Sequence, residues 1–253
     1  MHFTAIADTD IGIVKTTNQD SILIKHGQTP MGEVLMAVVC DGMGGLAKGE
    51  LASATVIRAF AKWFDQDLPH ELEKMDLQVV AGKWILMLKD LNAKILQHGQ
   101  IMGANLGTTF TGMLFVGGQY MIAHVGDSRA YRIADTLQQL TADQTFVARE
   151  ISLGHMTPEQ AKVDKRRNLL LQCVGASKIV EPQIIFGNTE KGIYMLCSDG
   201  FRHEITPKEI YDALNPISCR DAQAMKNNSR YLINQVKARQ EKDNISVVVL
   251  KVE

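Results

Sequence analysis

Val34 to Cys40 (VLMAVVC) is the longest unbroken apolar run in the chain, seven residues. A run of that length bounded by polar residues predicts a strand buried on both faces. Further apolar and β-branched segments predict strands at Phe3–Ala7, Ser21–Lys25, Thr108–Val116, Gln119–Val125, Arg129–Ile133, Ile193–Cys197 and Ile245–Val252. Gly117-Gly118 sits between two of them at hairpin spacing, and Arg129–Ile133 follows as the next strand of a meander. Elsewhere the period changes. Ala52, Val56, Ala59, Phe60 and Trp63 form one apolar stripe at helical spacing, and Trp84, Leu88, Leu91 and Ile95 form another. A third amphipathic stretch runs from about Ser218 to Val236, and Pro207 opens a short helix before it.

Strands, a helix pair, more strands, an irregular region, then strand, helix and strand is an order that favours antiparallel sheets with segregated helices over a doubly wound parallel sheet. Eight strands are many for one small open sheet, so two packed sheets covered by helices are expected. Composition is even from end to end, with no repeat or linker, which predicts a single domain over 1–253. Residues 141–176 stand apart, charged and weakly periodic. A long irregular insertion of this kind is usually functional or mobile.

The charge balance narrows the function classes. Against 27 Lys and Arg stand 28 Asp and Glu, a formal net charge of −1, which argues against a protein that coats nucleic acid. The longest apolar run falls far short of the roughly 20 residues of a membrane span, and Asp8 interrupts the N-terminus before a signal-peptide core could form. These features predict a cytoplasmic protein. The four cysteines show neither a CxxC pair nor zinc spacing, so free thiols are expected. The seven histidines show no triad or ligand spacing; His124, beside Gly126-Asp127, is expected to make a structural hydrogen bond.

The candidate chemistry lies in aspartates at strand ends. Asp41 follows VLMAVVC, Asp199 follows GIYMLCS, Asp127 follows MIAHVG, Asp243 precedes ISVVVLKV and Asp20 precedes SILIK. Any one alone reads as a turn residue or a helix cap. Together, if the ends converge, they form a cluster of carboxylates that cannot all stay ionised without protons or cations. Oxygen ligands without Cys or ligand-spaced His suit Mg²⁺ or Mn²⁺. Gly42 follows Asp41 and lets the backbone approach closely, so its carbonyl is a further candidate ligand. Two divalent ions bridged by a carboxylate lower the pKa of a shared water and drive attack at phosphorus. The residues by themselves reach as far as a two-metal hydrolase.

Six segments in order carry a resemblance: Gly12-Ile-Val-Lys-Thr-Thr-Asn18-Gln19-Asp20, Asp41-Gly-Met-Gly-Gly45, Gly107-Thr-Thr109, His124-Val-Gly-Asp-Ser-Arg-Ala-Tyr131, Ser198-Asp199-Gly200 and Asp243-Asn244. The chain resembles the PP2C-type (PPM) metal-dependent protein phosphatases, bacterial branch, from Ile6 to Val249. That resemblance implies an α+β fold, a four-layer α/β/β/α sandwich of two antiparallel sheets flanked by helix pairs, with the metals in a cleft at one end. It implies hydrolysis of phosphoserine and phosphothreonine in proteins by a metal-activated water, without a phosphoenzyme. The cofactors would be Mn²⁺ or Mg²⁺, two ions with a third, weaker site. Asp41 would bridge both metals, the Gly42 carbonyl would bind one, and Asp199 and Asp243 would complete the other. Asp20 would hold water bound to the metals, Asp127 with Asp199 would serve the third site, and Lys15 would grip the substrate phosphate. Residues 141–176 would be the flap beside the cleft. The implied partners are phosphorylated proteins, substrates of a Ser/Thr kinase, acted on by a monomer.

Several positions depart from the family pattern. Lys15 stands where bacterial relatives usually carry Arg, and offers a point charge in place of a bidentate fork. Gln19 replaces a common Glu, Met43 occupies the position of a His in eukaryotic members, and Asp164-Lys165 replaces the usual His-Pro before Arg166-Arg167-Asn168. Lys15 and Gln19 leave open a pseudophosphatase that only binds phosphoproteins; the complete set Asp20, Asp41, Asp127, Asp199 and Asp243 argues for an enzyme. A metal-dependent hydrolase of small phosphate esters is a third reading. Cys40 and Cys197, close to the metal aspartates, are expected to be core residues.

Overall fold

The computed structural model describes residues 1–43, 48–72 and 76–253. The chain opens with β1 (Phe3–Asp10), β2 (Ser21–Thr29), β3 (Gly32–Cys40) and the two-residue β4 (Gly42–Met43). Helices α1 (Gly49–Gln66), α2 (Leu68–Glu71) and α3 (Leu77–Met102) follow. Then come β5 (Gly107–Thr108), β6 (Phe110–Val116), β7 (Gln119–Val125), β8 (Arg129–Ile133) and β9 (Leu137–Gln139). Helices α4 (Phe146–Ser152) and α5 (Pro158–Val163) lead to β10 (Gln183–Asn188) and β11 (Gly192–Cys197). The chain ends with α6 (Asp199–Arg202), α7 (Pro207–Leu214), α8 (Ala222–Ala238) and β12 (Ile245–Val252).

One sheet has the order β1-β12-β11-β8-β9 and a second the order β10-β7-β6-β3-β2, with all neighbours antiparallel. They pack face to face, and the burial pattern shows why the central strands are apolar throughout. Leu35, Ala37 and Val39 of β3 enter the core between the sheets, while Val34, Met36, Val38 and Cys40 face the helix pair α1 and α3. In β12, Val248, Leu250 and Val252 enter the same central core, and Ile245, Val247 and Val249 pack under α7 and α8. A strand in either middle layer has no face for water, so alternation disappears from its sequence. The result is the expected α/β/β/α sandwich of two antiparallel sheets with helices on both outer faces. No described helix is long and apolar enough to cross a membrane.

All eight expected strands are present; Gln119–Val125, Arg129–Ile133 and Ile245–Val252 keep their expected bounds, and most of the others extend or shift at an end. The segment Thr108–Val116 divides at Thr109, whose N–H donates to the Asp41 carbonyl at 2.8 Å instead of continuing the ladder. Gly117 and Gly118 have φ of 57° and 78°, the left-handed pair that a two-residue hairpin needs. The last long helix begins at Ala222, four residues later than its apolar stripe, because the Asp221 carboxylate caps it by accepting from Ala224 N at 2.7 Å. Residues 141–176 are less irregular than expected. Thr145 caps α4, and Thr157 with Gln160 forms a capping box at α5. Gly44 and Gly45, part of the expected turn after Asp41, lie outside the described residues.

The outer core rests on an aromatic cluster. Trp84 meets Phe60 edge-on at 4.9 Å between centroids and Trp63 at 5.4 Å, and Phe60 packs on Phe110 at 4.4 Å. Trp84→Ala is therefore predicted to cost about 3–5 kcal/mol, read as a lowered guanidinium chloride midpoint. Leu86→Ala, on the exposed face of the same helix, should stay within about 0.5 kcal/mol.

Candidate functional site

Strand register brings the aspartates to one end of the sandwich. Ser21 pairs with Cys40, so Asp20 and Asp41, each one residue beyond, stand side by side at the end of the second sheet. In the first sheet Cys197 pairs with both Val247 and Arg129. Asp199, Asp243 and Asp127 thus project from the same end of three adjacent strands. Pairing gathers the aspartates of each sheet, and the packing of the two sheets brings the two groups to one end.

Their charges act on one another. Burial is the largest influence on Asp41 and raises it well above the ordinary carboxylate range, and Asp20, Asp199, Asp127 and Asp243 push it further. Burial likewise lifts Asp20 to about 7, with Asp199 and Asp243 adding to the rise. The Ser246 and Ser198 hydroxyls pull Asp20 the other way without reaching hydrogen-bond geometry. Asp127 also rises to about 7, chiefly by burial and then by Asp199, with Arg202 opposing.

Backbone clamps hold these strand ends in place. Asp41 N donates to Thr109 Oγ1 at 2.9 Å, and its carbonyl accepts from Thr108 Oγ1 at 3.0 Å as well as from Thr109 N. A Cβ on Gly42 would lie 2.4 Å from both the Gln19 and Gly49 carbonyl oxygens, so no larger residue fits where β4 meets α1. Ser53 Oγ donates to the Gln19 carbonyl at 2.6 Å. Asn244 ties the loop after β1 to the start of β12: its Oδ1 accepts from Gln19 N at 2.9 Å, and its Nδ2 donates to the carbonyls of Ile11 and Thr17 at 3.0 and 3.2 Å.

Cationic groups surround the cluster. Lys15 Nζ reaches Asp243 Oδ1 at 2.9 Å. Burial works against its charge, but that bond and the charges of Asp243, Asp41 and Asp199 prevail and raise it. Arg202 lies beside Asp127, and His203 stands between Asp199 Oδ2 (3.7 Å) and Glu241 Oε2 (3.5 Å). Neither Arg202, His203 nor Glu241 is marked by strand-end position in the sequence; the one signal is that Arg202 and His203 come just after Ser198-Asp199-Gly200, with Phe201 between. A cleft of about 860 Å³ opens from Asp127 and Asp243 toward Lys162, Arg167 and Asn168 of residues 141–176.

The donor chemistry fits small hard cations. Both oxygens of Asp20 and Oδ1 of Asp199 are buried without a hydrogen-bond partner among the described residues, a costly state for a carboxylate unless a cation or ordered water completes it. Among the described residues no three His, Cys, Asp or Glu side chains stand ready-spaced to hold an ion. The other candidate groups are structural. His124 is buried, with Nδ1 2.9 Å from Thr111 Oγ1 and Nε2 3.1 Å from the Ala142 carbonyl, and burial holds it down at about 4. All four cysteines are free thiols, and burial pushes Cys40 well up and Cys197 to about 12, so neither is a ready nucleophile.

The sequence profile of the family described as Protein phosphatase 2C matches residues 13–238. The chain is 36% identical over 212 residues to the serine/threonine protein phosphatase PstP of Mycobacterium tuberculosis, covering 82% of this chain and 38% of that protein. It thus spans well under half the length of that relative. It is 31% identical over 209 residues to the protein phosphatase PhpP of Streptococcus pneumoniae, covering 81% of each. The solved serine/threonine phosphatase of S. agalactiae superposes with a TM-score of 0.87 at 26% identity, over the whole of both chains. The PstP catalytic domain in complex with two manganese ions superposes with a TM-score of 0.80 at 29% identity, over 98% of this chain and 97% of that one.

Linkage predicts how stability responds to an added cation. Asp20 and Asp127 are raised from 3.8 to about 7, so metal-free protein loses stability as pH rises from about 4 to about 7. His124, lowered from 6.5 to about 4, works oppositely but equally with and without metal. The gap in Tm between protein in Mn²⁺ and protein in EDTA should therefore widen from about pH 5 to about pH 8. Differential scanning fluorimetry at both pH values checks this; an equal or narrower gap at the higher pH contradicts it.

Proposed function

The chain belongs to the protein phosphatase 2C family, and on that premise we propose that it is a metal-dependent protein serine/threonine phosphatase. The observation that carries the reading is the convergence of Asp20, Asp41, Asp127, Asp199 and Asp243, with buried oxygens on Asp20 and Asp199 that no donor among the described residues satisfies. A module that only bound phosphoproteins would have no use for so costly a cluster, and this disfavours the pseudophosphatase reading. Phosphatases of this family are metal-dependent, and a related catalytic domain is described with manganese. All-oxygen ligands favour Mn²⁺ or Mg²⁺ here.

Asp41, whose carboxyl feels the charges of Asp20, Asp199, Asp127 and Asp243, would be the central carboxylate holding the ions. The Gly42 carbonyl, Asp199 and Asp243 complete the ligand set. When bound, the ions supply Lewis-acid charge at the phosphate and activate water for attack at phosphorus. Asp20, with no donor on either oxygen among the described residues, would accept from and orient water beside the ions. Lys15, now 2.9 Å from Asp243 Oδ1, would present its ammonium to the phosphate oxygens. The surroundings of Asp41 hold the geometry rigid, since Thr108 and Thr109 fix its backbone from a neighbouring strand. Residues 141–176 form a flap over the cleft and meet the peptide around the phosphorylated residue.

The substrates under this reading are phosphorylated proteins supplied by a Ser/Thr kinase, handled by a single domain spanning 1–253, acting as a monomer in the cytoplasm. Phosphopeptides and p-nitrophenyl phosphate, each with Mn²⁺ or EDTA, test the activity. Turnover should vanish in EDTA and return with Mn²⁺. Asp41→Asn should lose more than about 100-fold, above what partners outside the ligand set typically cost. Turnover by Asp41→Asn equal to the natural chain rejects the assignment, and equal kcat/KM for phosphopeptides and the small ester favours a small-ester hydrolase. Lys15→Ala should lower kcat/KM about 10- to 100-fold, the worth of one charged hydrogen bond at roughly 1.5–3 kcal/mol.

A further inference from the structure

One buried cation in the cleft has no part in the assignments above. Arg202 ends α6, and its side chain is 12% exposed. Its Nη2 donates to the Asp127 carbonyl at 3.1 Å and stands 3.5 Å from Asp127 Oδ2. It is also 3.7 Å from Asp143 Oδ2. Asp143 is already matched, however. Arg129 Nε donates to its Oδ1 at 2.7 Å and Arg129 Nη2 to its Oδ2 at 2.6 Å, a complete two-pronged pair. The charge of Arg202 is therefore left for Asp127. Neither group is stable alone in this position, because a buried charge without a counter-charge is expensive. Arg202 Nε finds no hydrogen-bond partner, so its attachment to residue 127 is what anchors the guanidinium.

We propose that the Arg202 guanidinium takes the place of a divalent ion beside Asp127, so that this chain holds two metal ions and not a third. The proposal rests on the metal-centre reading given under Proposed function. The sequence resemblance implies a weak third ion between Asp127 and Asp199, and the surroundings of Asp127 do not fit one. A divalent cation there would face a fixed guanidinium on the same carboxylate, and His203 on the Asp199 side adds a second basic group. In surroundings of low dielectric that repulsion is poorly screened. The positive charge that an exchangeable ion would bring is instead built into the chain, hydrogen-bonded to the main chain of residue 127 and 3.5 Å from its carboxylate. Arg202 is a positioning residue on this account: it fixes Asp127 and touches no reacting atom.

Titrating the full chain with Mn²⁺, with free ion read from its EPR signal, tests the count. Two ions should bind the natural chain, and Asp127→Asn should leave the count unchanged. Arg202→Met should gain a third, weaker ion, which adding Asp127→Asn should remove. Arg202→Lys, which keeps the charge, should hold two. Three ions on the natural chain, falling to two in Asp127→Asn, overturn the proposal, as does a count of two in folded Arg202→Met. If circular dichroism shows Arg202→Met unfolded, the natural chain against Asp127→Asn decides alone. A natural chain that binds no Mn²⁺ overturns this proposal together with the metal-centre reading beneath it, and is distinguishable from binding three.

Discussion

Asp20, Asp41 and Asp127 are pushed toward their protonated forms by burial and by neighbouring carboxylates. Such groups stay together only if the strands that carry them cannot separate, because repulsion in a poorly solvated crevice drives them apart. The sandwich supplies that restraint. Of the carriers, β3, β7, β11 and β12 are middle-layer strands paired on both edges, while β2, which follows Asp20, is a partly buried edge strand held by β3. The force holding the cluster is thus non-directional burial spread over two sheets and two helix layers. The hydrogen bonds of Thr108, Thr109 and Asn244 convert that bulk restraint into local position.

This division of labour explains which features were legible in the sequence. A strand with no face for water leaves an unbroken apolar run, so β3 and β12 could be read directly, and the aspartates at their ends stood out against them. Edge strands were harder. β10 lies at the margin of its sheet, only partly buried, and its Gln183–Asn188 segment has neither a clean alternation nor a fully apolar run. β9 is three residues long and exposed along most of its length. The helices α4 and α5 are too short for a periodic stripe, although Thr157-Pro158-Glu159-Gln160 carried the chemistry of a capped start.

Within the site, ligand candidates could be read because an acidic residue at a strand end is a local pattern. Counter-charges could not. Arg202, Arg129 and Asp143 come from α6, β8 and the start of the flap, and their pairing is a property of three-dimensional packing. The geometry decides which cation belongs to which carboxylate: Arg129 saturates Asp143, and only then does Arg202 fall to Asp127. Lys15 is an intermediate case. Its place in the Gly12–Asp20 motif suggested a phosphate-facing charge, while its bond to Asp243 shows that it lies close enough to the carboxylates to serve as their counter-ion.

The root of the flap is fastened to the loop that carries Asp127. Gln144 N donates to the Gly126 carbonyl and Gly126 N to Gln144 Oε1, both at 2.8 Å, and Leu171 N closes the other side on the Gln144 carbonyl at 2.8 Å. Beyond Thr145 and Leu170, whose pairing is an isolated bridge, the segment makes most of its hydrogen bonds to itself. The flap is therefore built like a visor on a riveted hinge plate. Its outer part can change shape or charge without disturbing the rivets, which keep the Asp127 loop in register.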